Sequence, residues 1–258
     1  MSKLLKLVHS HYKAIKQSAR ICKVLLWDQR YFASVRDGEY RDNDGNYLPW
    51  FTFPAIEALK NWDLSNKRVF EYGSGYSTLF WAARAKEVIS VEHNEAWHEK
   101  ISMLAPNNTQ IILSPITQGE REDHPTPQTR EQFGRYAETI REYGKFDVIV
   151  LDGYARSRMR YQCARAALMQ LLNNGLVILD NSDWLPATAM YLRQAGLIEV
   201  DFSGPVPGNE FCQTTSFFFA REFDFEPTGE RQPLAPVGGG IDNWEVALER
   251  ELLAQKSS

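Results

Sequence analysis

The residues best placed to do chemistry are four acids and two glycines. Glu71, Gly73 and Gly75 stand in the run Val69-Phe70-Glu71-Tyr72-Gly73-Ser74-Gly75-Tyr76-Ser77-Thr78, and Glu92 closes Val88-Ile89-Ser90-Val91-Glu92. The pattern reads as a strand, a glycine turn opening a helix, then a second strand ending in a carboxylate. Glu92 lies 21 residues beyond Glu71, near the roughly 20-residue spacing at which a nucleotide-binding βαβ unit places its ribose acid. A third glycine is missing. A pyrophosphate site needs G-x-G-x-x-G so that the backbone approaches the phosphates and the helix packs on the strand. A carboxylate two residues before the first glycine suits a phosphate-free cofactor with a cationic end. The alternative is a plain strand–helix turn of some other α/β protein.

S-adenosylmethionine has that chemistry. Glu71 can attract its amino and sulfonium end, directly or through water, and Gly73 and Gly75 let the backbone approach without a Cβ. Glu92 would accept two hydrogen bonds from the ribose hydroxyls. Ser74, Tyr76, Ser77 and Thr78 complete the cofactor-binding turn, and His93 would edge the adenine pocket. On these residues the chain resembles the class I S-adenosylmethionine-dependent methyltransferases. Their first motif is an acid-x-Gly-x-Gly turn, and their second is an acid closing strand two.

The elements that must position these groups alternate regularly. Strands are expected at Arg68–Tyr72, Glu87–Glu92, Gln110–Leu113, Phe146–Leu151 and Leu176–Leu179. Helices are expected at Thr78–Ala85, Ala96–Leu104, Glu131–Tyr143, Met159–Leu172 and Ala187–Ala195. Phe146–Leu151 (Phe-Asp-Val-Ile-Val-Leu) is apolar but for Asp147, as suits a strand buried on both faces. Leu197–Phe202 and Thr215–Ala220 follow with no helix between them, so they should be antiparallel. The expected fold class is α/β, a Rossmann-like sheet of five parallel strands plus an antiparallel pair, helices on both faces. That is the methyltransferase sheet, and the resemblance covers approximately residues 66–222.

Ligands of open α/β sheets bind beyond the carboxyl ends of the strands. Asp152 follows the fourth strand and is a candidate base for an acceptor hydroxyl, although positioning can carry much of an in-line methyl transfer. The resemblance extends to cation-dependent O-methyltransferases, which hold Mg²⁺ with an Asp after strand four and an Asp-Asn pair after strand five. Asp152, Asp180 and Asn181 match those positions, but the acid and lysine that usually follow the first Asp are absent. Asp180 and Asn181 capping the next turn is the alternative. Arg156, Arg158 and Arg160 could orient an anionic acceptor or form a solvated helix face. Tyr154, Asn181 and Trp184 are candidate acceptor contacts, His124 a candidate base only if its loop folds over the site. Ser203–Asn209 with Phe211 should line the acceptor entrance.

Composition bounds the rest. At 258 residues, 43% hydrophobic and 24% charged, the chain suits one α/β domain with additions. The expected division is a basic helical extension and lead-in over 1–65, the catalytic domain over 66–223, and a tail with a short helix over 224–258. A net charge of −4 gives no global reason to expect nucleic acid. There is no apolar run of bilayer length, and Lys6, His9, His11 and Lys13 interrupt any signal-peptide pattern. Cys22, Cys163 and Cys212 read as reduced thiols of a cytoplasmic protein. Residues 1–26 carry Lys3, Lys6, Lys13, Lys16, Arg20 and Lys23 without an acid, and their apolar residues recur at approximately helical spacing. Such a helix can lie on an anionic membrane. The favoured expectation is that it packs on the core or on a second subunit of a homo-oligomer. The leading reading is methyl transfer to a hydroxyl of a small molecule or glycan. Against it stand an inert cofactor-binding scaffold and an NAD-dependent oxidoreductase.

Overall fold

The computed structural model describes residues 3–116, 127–153, 157–229, 232–239 and 243–256. Its centre is a seven-stranded sheet of β1 (Arg68–Tyr72), β2 (Glu87–Glu92), β3 (Thr109–Leu113), β4 (Phe146–Leu151), β5 (Leu171–Leu179), β6 (Ile198–Pro205) and β7 (Cys212–Phe219). The strand order is β3-β2-β1-β4-β5-β7-β6. The first five strands pair in parallel. Of the last two, β7 alone is reversed, because it inserts antiparallel between β5 and β6. Each expected strand is present. Strand β5 starts five residues before Leu176, which Gly175 does not interrupt because its missing side chain leaves room for Leu171 and the Asp147 carbonyl. Order and directions are those of the Rossmann-like methyltransferase sheet.

The crossover helices are α4 (Tyr76–Ala82), α5 (Glu95–Ser102), α6 (Pro127–Glu138), α7 (Ser157–Gln170) and α8 (Pro186–Gln194). Their starts have local causes. Asn94 caps α5 by accepting the Trp97 N–H at 2.9 Å, and Pro186, which has no N–H to leave unpaired, opens α8. Every residue of β4 is buried, so its apolar faces serve two cores. One core joins Phe70, Phe146, Ile149 and Leu179 to α6, α7 and α8. The other sets Val69, Val88, Val148 and Ile178 against α4 and against residues that precede the sheet.

Those preceding residues form more structure than the lead-in suggested. Helices α2 (Tyr31–Asp37) and α3 (Phe53–Leu59) lie there, and Phe51, Ile56, Leu59 and Leu64 are buried in the second core. Thr52 caps α3, and its hydroxyl also donates to the Phe202 carbonyl at 2.8 Å, tying this segment to β6. The N-terminal helix α1 (Lys3–Lys23) continues into a π-helical turn at Val24–Asp28. Of the two packings expected for α1, that on the core is absent, since its side chains from Val8 to Lys23 are exposed. The C-terminal helix α9 spans Asn243–Lys256.

Candidate active site

A crevice of about 730 Å³ opens at the carboxyl ends of β1, β2 and β4, where the strand order reverses. Gly73, Ser74, Gly75, Tyr76 and Ser77 form one wall; Glu92, His93, Asn94, Ala96, Trp97 and Lys100 form another. Asp152, Gly153, Arg160 and Asn181 lie at its floor and far side. The sequence therefore brings most of its candidate residues to one place.

The glycine turn is held by a short hydrogen-bonded relay. The Gly75 N–H donates to the Thr78 hydroxyl at 2.9 Å, and that hydroxyl donates to Glu71. The two glycines answer to different needs. Gly73 has φ +91°, and a Cβ there would stand 2.5 Å from Gly153 Cα. Close approach of the β1 and β4 loops thus requires glycine at both positions. At Gly75 a Cβ would meet the protein only at 3.5 Å and beyond. The missing Cβ therefore leaves room on the crevice side of the turn rather than relieving a clash within the chain.

Glu71 stands near the end of β1, as expected. It is fully buried beneath the turn and does not line the crevice. Burial raises its carboxyl to about 8, opposed by the hydroxyls of Ser77, Thr78 and Ser90 and assisted by Asp152. It is therefore a neutral acid at pH 7, which braces the turn through Thr78. Thr78 is likewise buried.

Glu92 has the opposite character. Its Oε1 accepts the N–H groups of His93 at 2.9 Å and Asn94 at 2.7 Å, and its Oε2 accepts the Ser74 N–H at 2.8 Å. Burial pushes its carboxyl up, but His93 and the Asn94 and Ser74 amides prevail and hold it below the usual carboxylate range. The charge is thus fixed in place by backbone. The Ser74 hydroxyl reaches Oε2 only at 3.3 Å, a contact that a better donor can displace.

Asp152 faces the crevice with 19% of its side chain exposed. Burial raises it to about 6; Arg160 opposes that rise and Glu92 adds to it. Arg160 is not a surface clamp for an acceptor. It is 2% exposed and donates to the carbonyls of Leu151 at 2.6 Å, Gly153 at 2.7 and 2.9 Å, and Asp180 at 3.1 Å. The guanidinium ties the β4 and β5 loops together, with Asp152 at 3.4 Å.

The Mg²⁺ set expected from the resemblance finds no support here. Asp180 is buried and accepts from Thr215 at 2.7 Å and Gln213 at 3.2 Å. Burial and the nearby Asp152 push it well above the carboxylate range, toward the neutral form. Asn181 lines the crevice with φ +54°. Among the described residues no group of three or more His, Cys, Asp or Glu side chains could hold a metal ion. Trp184 does not line the crevice; it packs on Phe211 at 6.0 Å, and both rings are exposed. Tyr154, Arg156 and His124 lie outside the described residues.

One wall was not anticipated. Gly38, Tyr40 and Trp50, all preceding β1, close one side of the crevice. Tyr40 stacks on Trp50 at 6.0 Å and meets Tyr76 edge-on at 5.9 Å, while Tyr47 stacks on Tyr76 at 5.1 Å. The Trp50 indole donates to the Pro207 carbonyl at 2.9 Å, which anchors this wall to the β6–β7 connection. The signal was present in the sequence. Asp42-Asn43-Asp44-Gly45-Asn46 is a turn cluster, and aromatic residues flank it on both sides.

No protein-family model matches the chain, and no curated protein sequence matches it. Solved structures do resemble it. A methyltransferase-like protein from Silicibacter pomeroyi is 21% identical, with 67% of this chain and 87% of that one covered and a TM-score of 0.45. A putative methyltransferase from Streptococcus mutans, in complex with SAH, is 14% identical over 67% and 99% at 0.43. An rRNA methylase from Streptococcus thermophilus is 15% identical over 65% and 96% at 0.42. These are distant likenesses of fold, and the functional reading rests on the chain's own crevice.

Proposed function

We propose that this protein transfers a methyl group from S-adenosylmethionine to a hydroxyl of a small molecule or glycan. The observation that carries the reading is the pairing of Glu92 with the glycine turn. A buried, ionised carboxylate held by three backbone amides stands beside a Gly73-Ser74-Gly75 turn that lacks the third glycine of a pyrophosphate site. It suits two ribose hydroxyls and offers nothing to a phosphate.

The cofactor would supply an electrophilic methyl group; the chain does the rest. Glu92 orients the ribose, with Ser74 yielding its 3.3 Å contact to a ribose hydroxyl. Asn94, Ala96 and Trp97 flank the adenine, and Trp97 is fixed by its indole N–H on the Ser74 carbonyl. Glu71, neutral and buried, keeps the turn in shape rather than meeting the cationic end. Asp152 takes the proton of the acceptor hydroxyl. It is ionised at pH 7 yet more basic than an ordinary aspartate, as a base at that position should be. Tyr40 and Trp50 exclude water from the acceptor side. No step runs through a metal ion.

The test is calorimetric titration with S-adenosylhomocysteine and with NAD, followed by turnover on pools of hydroxylated acceptors with and without Mg²⁺. The reading expects saturable binding of the first ligand only, and S-adenosylhomocysteine production that does not require Mg²⁺. Binding of NAD alone would support the oxidoreductase alternative. Cofactor binding without turnover on any acceptor would support the inert scaffold.

A further inference from the structure

We propose that α1 and the turn that follows it form a docking face for an anionic lipid bilayer. At about 100° per residue, Val8, Tyr12, Ile15, Ala19 and Cys22 fall within an arc of about 80° on α1. Lys13, Lys16, Arg20 and Lys23 occupy the adjoining arc of similar width. All nine are exposed, with Val8, Tyr12 and Ile15 at 60%, 65% and 68%. Beyond the helix further apolar side chains are exposed: Trp27 at 61% and Phe32 at 55%, whose rings stack at 6.3 Å, and Val35 at 57%. Val35 precedes Gly38 of the crevice wall by three residues.

Charge decides what covers this face. Residues 1–26 hold six Lys and Arg and no acid. The first acid, Asp28, pairs with Lys23 at 2.6 Å, which leaves Lys13, Lys16 and Arg20 without an acidic partner among the described residues. A second copy laid along the same stripe would bring lysine against lysine, with none of the opposite charges that flank a helix pair. A nucleic acid would answer the lysines but would leave Ile15, Trp27 and Phe32 in water. A bilayer with anionic headgroups answers both, since acyl chains take up the apolar arc while headgroups meet the basic one. No helix among the described residues is long and apolar enough to cross a membrane, so the contact lies in the plane of the surface.

The experiment is co-sedimentation of the full chain with vesicles of phosphatidylcholine alone, or with about 30% phosphatidylserine, at about 0.1 M salt. The protein should partition at least tenfold more strongly into the anionic vesicles and be released by roughly 1 M salt. The triple variant K13Q/K16Q/R20Q should lower the partition roughly a hundredfold, at about fivefold per charge. Ile15→Asp should lower it at least about tenfold through the apolar term. Neither variant touches the core or the crevice, so thermal unfolding and S-adenosylhomocysteine affinity should stay at wild-type values whatever the vesicles show. Equal partition into both vesicles, or into neither, overturns the proposal. So does a dimer in sedimentation equilibrium that Ile15→Asp dissociates while vesicles are ignored. RNA binding that survives Ile15→Asp, without vesicle binding, overturns it as well.

Discussion

Glu71→Gln should make the protein's stability less sensitive to pH, and the size of the effect follows from one buried carboxyl. In the folded chain Glu71 ionises at about 8 because burial excludes water from its charge; unfolded, it ionises at about 4.5. Between these values the folded state holds a proton that the unfolded state has released. Stability therefore falls as pH rises, by about 1.4 kcal/mol per unit within that window. Summed from pH 5 to pH 8, the loss is about 3–4 kcal/mol, an upper figure because water entry would soften the shift. Glutamine keeps an acceptor for the Thr78 hydroxyl and has no proton to lose. Urea unfolding of both proteins at half-unit steps from pH 5 to pH 9 isolates the effect, since every other group titrates in both. The stability difference, variant minus wild type, should grow steadily to about pH 8 and then level off. Two curves that run parallel would show that Glu71 is already ionised in the folded chain. Its proposed role as a neutral brace would then be wrong, and a direct attraction for a cationic ligand would return.

Three further outcomes are expected. Glu92→Gln, titrated calorimetrically with S-adenosylhomocysteine, should weaken binding by about 1–3 kcal/mol, the scale of charged hydrogen bonds to the ribose; an unchanged affinity would remove the ribose assignment. Gly153→Ala places a Cβ 2.2 Å from the Tyr136 hydroxyl and 3.0 Å from the Gly73 nitrogen, so denaturant unfolding should show a loss of about 1–3 kcal/mol or more. If Asp152 takes the acceptor proton, methyl-transfer rate at saturating substrates should decline as pH falls through about 6, because protonation removes the base. A rate that is level from pH 5 to pH 8 would leave positioning as the only contribution of that residue.

The strands and the antiparallel final pair were legible because Val148–Leu151 and Leu176–Leu179 are apolar and because no helical pattern separates Leu197–Phe202 from Thr215–Ala220. That β7 alone reverses could not be read, since insertion between β5 and β6 is a pairing of distant segments with no local signature. The glycine turn and Glu92 were legible from spacing. What the sequence hid were the environments. Glu71 and Glu92 are the same residue type at similar strand ends. Only the folded chain shows that one is sealed under Ser77, Thr78 and Ser90 while the other is met by three backbone amides. Arg160 looked like a surface cation because Arg156 and Arg158 stand beside it, yet its helix position turns it onto the carbonyls of Leu151, Gly153 and Asp180 at the ends of β4 and β5. The aromatic wall of Tyr40 and Trp50 escaped because it precedes the sheet by some twenty residues.

The central claim is that Glu92 receives the ribose of an adenosine cofactor. Crystals grown with S-adenosylhomocysteine test it most directly. The account predicts one nucleoside per chain, both ribose hydroxyls within hydrogen-bond reach of the Glu92 carboxylate, and adenine alongside Trp97. A ligand seated elsewhere on the molecule, or a ribose turned away from Glu92 in this crevice, would contradict it.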